Sequence, residues 1–283
     1  MPKFLESGAI IASLLLLLIA GYAAILFNLY FNQAGMLYLP EFPGASSDAT
    51  PAAAGLDYNT VQLTTSDGLQ LNAWFVPAAN KRGVILFCHG NAGNISNRIA
   101  TLELFNELGF SSLIFDYRGY GRSEGETTED GTYRDAEAAW LYLRNQGYEE
   151  SEIIIMGRSL GAAVAAELAH RHRPRAVVLE SSFTSVPDVA ADLYPLLPVR
   201  LLSRFDYNTL DYLKSVTTPV LIVHSRDDEI IPFSHGQRLF AAAKPPKQFL
   251  ELKGGHNDGI YVSGIDYYRD GLNRFFEAHQ NQR

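Results

Sequence analysis

Hydrophobic side chains follow three patterns along this chain. The first is continuous. No charged residue occurs between positions 8 and 40, and residues 8–31, GAIIASLLLLLIAGYAAILFNLYF, are almost wholly apolar. In helical form, at 1.5 Å per residue, that run covers about 36 Å. A bilayer hydrocarbon core is about 30 Å thick, so the pattern predicts one tilted membrane-spanning helix. Asn28 is its only strongly polar side chain, and Tyr30 and Tyr38 stand where an interfacial aromatic belt is expected. A cleaved signal peptide competes with this reading, because Met1-Pro2-Lys3 is a short basic start and Gly21-Tyr22-Ala23 a passable cleavage site. Against it, the apolar run continues through Ile25, Leu26, Phe27 and Leu29, past the ~7–15 residues of a signal core. A buried helix of a soluble body is the third reading. Residues 1–35 are thus expected to form an anchor. Residues 36–57, rich in Pro, Ala, Gly and Ser, are expected to link it to a globular body over 58–283.

The second and third patterns alternate in that body. Two β-like runs, 61–65 and 69–76, flank Ser66-Asp67-Gly68 and predict an antiparallel hairpin. Short unbroken apolar runs then recur: VILFC after Gly83, LIFD after Ser112, IIIMG after Glu152, VVLE after Ala176, LIVH after Val220 and FLEL after Gln248. Runs of this kind suit parallel strands covered on both faces. Helix-period stretches lie between them, at 94–108, 132–145, 160–171, 234–243 and 265–278. The alternation predicts an α/β fold with a mostly parallel sheet and helices on both faces. One interval breaks the rhythm. Residues 184–218 hold no strand pattern, carry Pro187, Pro195 and Pro198, and are apolar through Leu193, Tyr194, Leu196, Leu197, Leu201 and Leu202. This stretch is expected to be a small helical lid, or else an ordinary connecting helix packed on the body.

Charge and composition then exclude several classes of function. The 283 residues carry 23 Lys and Arg against 31 Asp and Glu, a formal net charge of −8. Such a chain lacks the field that attracts nucleic acid, so no nucleic-acid partner is expected. Cys88 is the single cysteine, which rules out an intrachain disulfide and a cysteine-based metal site. No metal or organic cofactor is expected. Lys3 precedes the apolar run and no Lys or Arg follows until Lys81. By the positive-inside rule the N-terminus is expected in the cytoplasm and the body on the opposite side of the membrane. Glu6 partly opposes that bias.

The candidate chemistry is that of a serine nucleophile. Gly157-Arg158-Ser159-Leu160-Gly161 is a G-x-S-x-G set directly after one strand and before an Ala-rich helix, the context the motif requires. A serine hydroxyl needs a base. Of seven histidines, His170, His172 and His279 lie on or at the ends of helical stretches expected to be exposed, His89 and His224 end strands, and His235 lies near a helix start. His256 lies in Gly254-Gly255-His256-Asn257-Asp258, a loop after the last strand that can carry an imidazole over the sheet edge. An acid should orient that ring. Asp227, Asp228 and Glu229 follow the strand VLIVH, with Asp228 favoured by its spacing to Ile230-Ile231-Pro232 and Glu180 a distant option. Two backbone N–H groups must hold the oxyanion. The choices are Leu160, after the nucleophile, and Asn91, in His89-Gly90-Asn91-Ala92-Gly93-Asn94.

With these residues in place, the body resembles the α/β-hydrolase superfamily. The resemblance rests on HGNAGN at 89–94, FDYRGYGRSEG at 115–125, GRSLG at 157–161, HSRDDEIIP at 224–232 and GGHND at 254–258. It is similar to the small-lidded, often N-terminally membrane-anchored serine hydrolases, among them depalmitoylating thioesterases, and to the catalytic domain of prolyl-oligopeptidase-type peptidases. The resemblance implies an eight-stranded α/β-hydrolase sheet. It also implies that Asp116, Arg118 and Arg122 tie loops together. Family members often carry Gly where this chain has Ser225. The implied function is cleavage of a small-molecule acyl ester or thioester, lipid-like in view of the apolar lid and the anchor. Two readings compete with it: a serine peptidase using the same three residues, and a non-catalytic anchored scaffold.

Overall fold

The computed structural model describes residues 2–42, 49–80 and 82–280. Part of the expected linker, residues 43–48, and the last three positions of the expected body lie outside the described residues. Helix α1 (Pro2–Leu37) opens the chain. The hairpin follows as β1 (Asn59–Thr64) and β2 (Gln70–Val76), with Leu63 paired to Leu71. Then come β3 (Val84–Cys88), α2 (Ile99–Glu107), β4 (Ser111–Phe115), α3 (Glu129–Asn145), β5 (Ile153–Arg158), α4 (Leu160–Arg171) and β6 (Ala176–Glu180). The interval 184–218 holds α5 (Val186–Leu193), α6 (Val199–Leu202) and α7 (Thr209–Leu213), and no strand. The chain closes with β7 (Val220–Ser225), α8 (Phe233–Ala242), β8 (Lys247–Leu252), α9 (Gly259–Ser263) and α10 (Ile265–Ala278).

The eight strands form one sheet in the order β1-β2-β4-β3-β5-β6-β7-β8. From β4 to β8 every neighbouring pair is parallel, whereas β2 runs antiparallel to both β1 and β4. The sheet is therefore mixed, and mostly parallel as expected. Its central strands are buried on both faces because alternate residues enter different cores. Leu86, Leu113, Ile155 and Leu179 join one cluster with Trp140 of α3 and Leu168 of α4. Phe87, Ile114, Met156 and Val178 join the other with Phe105 of α2 and Phe275 of α10. The chain leaves β3 toward β4 but leaves β5 toward β6 on the opposite side, so the direction of the connections reverses between β3 and β5. The crevice at the carboxyl ends of strands flanking such a reversal is where ligands settle in open α/β sheets.

The stretch expected to link anchor and body is tied to the body wherever it is described. Tyr38, expected at a lipid interface, is instead 6% exposed in the body's core, and its hydroxyl lies 2.9 Å from that of Tyr207. A phenol removed from water needs a hydrogen-bond partner, and Tyr207, itself 3.0 Å from Thr132, supplies one. Leu39 bridges to Ala92, and Pro51 is buried in a short 3₁₀ turn. Further back, α1 leans on residues 196–204. Tyr22 donates to the Leu196 carbonyl at 3.2 Å, and the Gln33 amide donates to Leu202 O at 2.7 Å and accepts from Arg204 N at 2.8 Å.

Candidate active site

Ser159 sits between the last residue of β5 and the first of α4. Its φ is +53°, a conformation unfavourable for a residue with a Cβ. Close packing holds it there. A Cβ on Gly157 would fall 2.1 Å from the Gly161 carbonyl oxygen, and a Cβ on Gly161 would fall 2.1 Å from the Cys88 oxygen. No side chain fits at either place, so helix α4 can start directly against β3 and β5. The Ser159 N–H donates to Glu180 O at 2.9 Å and its carbonyl accepts from Ala162 N at 2.9 Å. The hydroxyl is thereby fixed above the sheet edge at a helix N-terminus, where the dipole favours negative charge.

The loop after β8 brings His256 to this hydroxyl. His256 Nε2 is 3.1 Å from Ser159 Oγ, and its Nδ1 is 2.8 Å from Asp228 Oδ2. The other Asp228 oxygen accepts from Ile230 N at 3.0 Å and Ile231 N at 2.7 Å. Burial works to raise the Asp228 pKa, but the hydrogen bond and charge of His256 and the Ile231 N–H outweigh it, and the carboxyl is held below its ordinary value. The neighbouring acids do different work. Asp227 accepts from Gly254 N at 3.2 Å and Glu229 from His256 N at 2.9 Å, so both shape the histidine loop through its backbone. Ser225 also holds that loop, through a hydrogen bond from its hydroxyl to Gly254 O.

Loop 89–94 lies beside the nucleophile. A Cβ on Gly90 would be 3.6 Å from Ser159 Cβ. Asn91 follows, and its side-chain oxygen accepts from Leu39 N at 3.2 Å and Tyr120 OH at 3.0 Å. The Asn91 side chain is thereby committed to Leu39 and Tyr120. As expected, Asp116 and Arg118 are loop ties. Asp116 accepts from Asn72 at 3.0 Å and Ile95 N at 2.9 Å, and Arg118 pairs with Asp135 and Asp67, each at 2.8 Å.

Two features of the site escaped sequence reasoning. Arg158, inside the G-x-S-x-G itself, donates to His256 O at 2.9 Å and pairs with Glu180 at 3.1 Å. Glu180 in turn accepts from Tyr268 OH. A buried strand-end carboxylate and a basic residue in the motif were the available signals, but their pairing spans strands. His279, expected to be exposed, is buried edge-on against Phe275.

His89 begins the loop and is buried, its Nδ1 donating to Gly90 O at 2.7 Å while Nε2 has no partner among the described residues. Burial, then the nearby Arg98 charge, pushes its pKa down to about 3. The folded state thus keeps it neutral while the unfolded chain binds a proton below about 6.5. Its contribution to stability is present above that value and is lost as pH falls toward 3. Between pH 7.5 and 5.5 the wild type should lose about 1.4 kcal/mol relative to His89→Gln, read by denaturant unfolding in detergent. Parallel losses in the two proteins would show that His89 is not the group responsible.

Residues 79–210 match a family described as serine aminopeptidase S33, Hydrolase_4. The alpha/beta hydrolase domain-containing protein WAV2 of Arabidopsis thaliana is 33% identical over 275 residues, covering 89% of each chain. An uncharacterized membrane protein of Saccharomyces cerevisiae is 33% identical over 256 residues, covering 87% of this chain and 90% of its own. Among solved structures, the Pyrococcus furiosus esterase Pf2001 superposes with a TM-score of 0.72 at 20% identity, covering 86% of this chain and 98% of that one.

Proposed function

This chain belongs to the α/β-hydrolase family, and we propose that within it the protein is a membrane-anchored serine hydrolase cleaving carboxylic esters or thioesters. The observation that carries this is the unbroken relay from Ser159 Oγ to His256 Nε2, 3.1 Å, and from His256 Nδ1 to Asp228, 2.8 Å. In this reading Ser159 Oγ bonds to the substrate carbonyl carbon while His256 takes its proton. The oxyanion so formed is held by the N–H groups of Leu160 and Asn91, each such donor being worth about 2.7–4 kcal/mol in the transition state. His256 then passes the proton to the departing alkoxide or thiolate as its bond to carbon breaks. Water, deprotonated by His256, hydrolyses the acyl-enzyme, and Asp228 stabilises the imidazolium throughout.

Three units follow from the same reading: an anchor over residues 1–35, a connecting stretch over 36–57, and a hydrolase domain over 58–283 with residues 184–218 as its lid. Support for the anchor comes from the apolar helix of residues 8–37, whose most hydrophobic stretch is wholly unburied, and from the yeast relative named a membrane protein. The single Lys3 puts the N-terminus in the cytoplasm and the hydrolase domain across the membrane. The matched family's description names an aminopeptidase, so a test must separate acyl esters from aminoacyl amides. The full chain in detergent should react with an alkyl fluorophosphonate at Ser159. It should also turn over nitrophenyl esters or acyl thioesters with kcat/KM at least a hundredfold above aminoacyl anilides. A preference for the anilides makes it a peptidase. A folded protein that neither labels nor turns over any of them is a scaffold.

A further inference from the structure

An apolar cavity lies between α1 and the 184–218 segment. Its volume is about 250 Å³, and no charged residue lines it among the described residues. One wall is Leu29, Met36 and Leu37 of α1, and the other includes Phe183, Val189 and Ala190. Gln33, its main polar lining residue, spends both ends of its amide on the lid backbone, at Leu202 O and Arg204 N. A cavity so lined repels water and charge and fits hydrocarbon.

Both walls are close in sequence to residues that hold the nucleophile and its neighbouring loop. Leu37 is two residues from Leu39, whose N–H is held by the Asn91 side chain and whose backbone bridges to Ala92. Phe183 is three residues from Glu180, whose carbonyl holds the Ser159 N–H. Helix length says why α1 is there. Its apolar segment, residues 8–37, has 30 residues, about 45 Å of helix, while a bilayer core takes about 30 Å. The remaining ten residues or so rise out of the bilayer, and Leu29 to Leu37 fall among them.

We propose that this cavity binds the acyl chain of the substrate, so that the end of the membrane helix is one wall of the substrate site. In this proposal an acyl chain leaving the membrane along α1 enters between Leu29, Met36 and Leu37 on one side and Phe183, Val189 and Ala190 on the other. A dry cavity of about 150 Å³ accepts benzene, so one of about 250 Å³ has room for a short acyl chain. The inference rests on the serine-hydrolase reading above and adds to it the substrate's chain and the second role of α1.

The test uses the full chain reconstituted in phosphatidylcholine vesicles. The probe is an octyl fluorophosphonate with a diazirine at the end of its chain. Ser159 Oγ displaces fluoride from phosphorus, and light then fixes the chain end to whatever it touches. Mass spectrometry should find the phosphonyl group on Ser159 and the photo-adduct on residues 29–37 or on α5. Adducts confined to other parts of the chain overturn the acyl site while leaving the nucleophile intact. Absence of label on Ser159 removes the serine-hydrolase reading, and the acyl site with it. As a second measurement, Ala190→Trp fills the cavity. The ratio of kcat/KM for octanoyl over acetyl ester should fall at least tenfold, and an unchanged ratio in the folded variant overturns the proposal.

Discussion

Replacing Ser159 by alanine is expected to lower kcat for ester hydrolysis by about 10⁶-fold, the scale on which removing a triad nucleophile acts. The effect is this large because in the proposed mechanism His256 and Asp228 act only through the serine: without Oγ there is nothing to deprotonate and no acyl-enzyme. What remains is the oxyanion pair and substrate binding. Folding should hardly change. Alanine keeps the Cβ, so the strain at φ +53° is the same in both proteins. The backbone bonds to Glu180 and Ala162 stay in place, and the lost hydroxyl bond is the one to His256. Steady-state kinetics alongside a thermal melt reads both parts. Turnover within tenfold of wild type, with the fold intact, takes Ser159 out of the chemistry.

The second large effect belongs to Asp228→Asn, expected to reduce kcat by about 10⁴-fold. The variant can still accept from Ile230 N and Ile231 N through its amide oxygen, so the loop geometry survives. The amide NH₂ then faces His256 Nδ1, where a carboxylate oxygen now stands at 2.8 Å. The ring must turn its lone pair to that donor and carry its proton on Nε2, the nitrogen facing Ser159 at 3.1 Å. A base protonated at that position cannot take the serine proton. Asp227→Asn provides the contrast: Asp227 is exposed and accepts only from Gly254 N among the described hydrogen bonds, so it should cost less than about tenfold. If the two variants exchange these effects, Asp227 orients the imidazole and the assignment at Asp228 is wrong.

The architecture was readable because its signals are local. Unbroken apolar runs became buried strands, for instance VILFC at Val84–Cys88, and the helix-period stretch at 160–171 became Leu160–Arg171 without change. Boundaries moved where capping intervened. The stretch expected to be helical from Asn94 begins instead as a 3₁₀ turn over Ile95–Arg98, because the Asn94 side chain accepts from Ser96 N and caps that turn. Ser159 was legible from its glycines, since the motif states in five adjacent residues that the turn must be tight. His256 and Asp228 were legible because each follows a strand whose carboxyl end had to lie at the same sheet edge.

The arrangements that depend on distant partners were not readable. Arg158, Glu180 and Tyr268 meet from three separate elements, with 88 positions between the last two. Tyr38 turned inward instead of toward lipid because a hydroxyl 169 residues away could satisfy it. The wall that α1 lends to the apolar cavity is completed by residues 183–205, far along the chain. By itself, then, the sequence determined which segments are strands, helices and membrane-length apolar run, and which serine stands at a tight turn, because periodicity and steric demand act between neighbours. Only the tertiary structure decided which buried polar groups pair and what the N-terminal helix touches, because those outcomes depend on loop lengths and packing that bring remote side chains within hydrogen-bond reach.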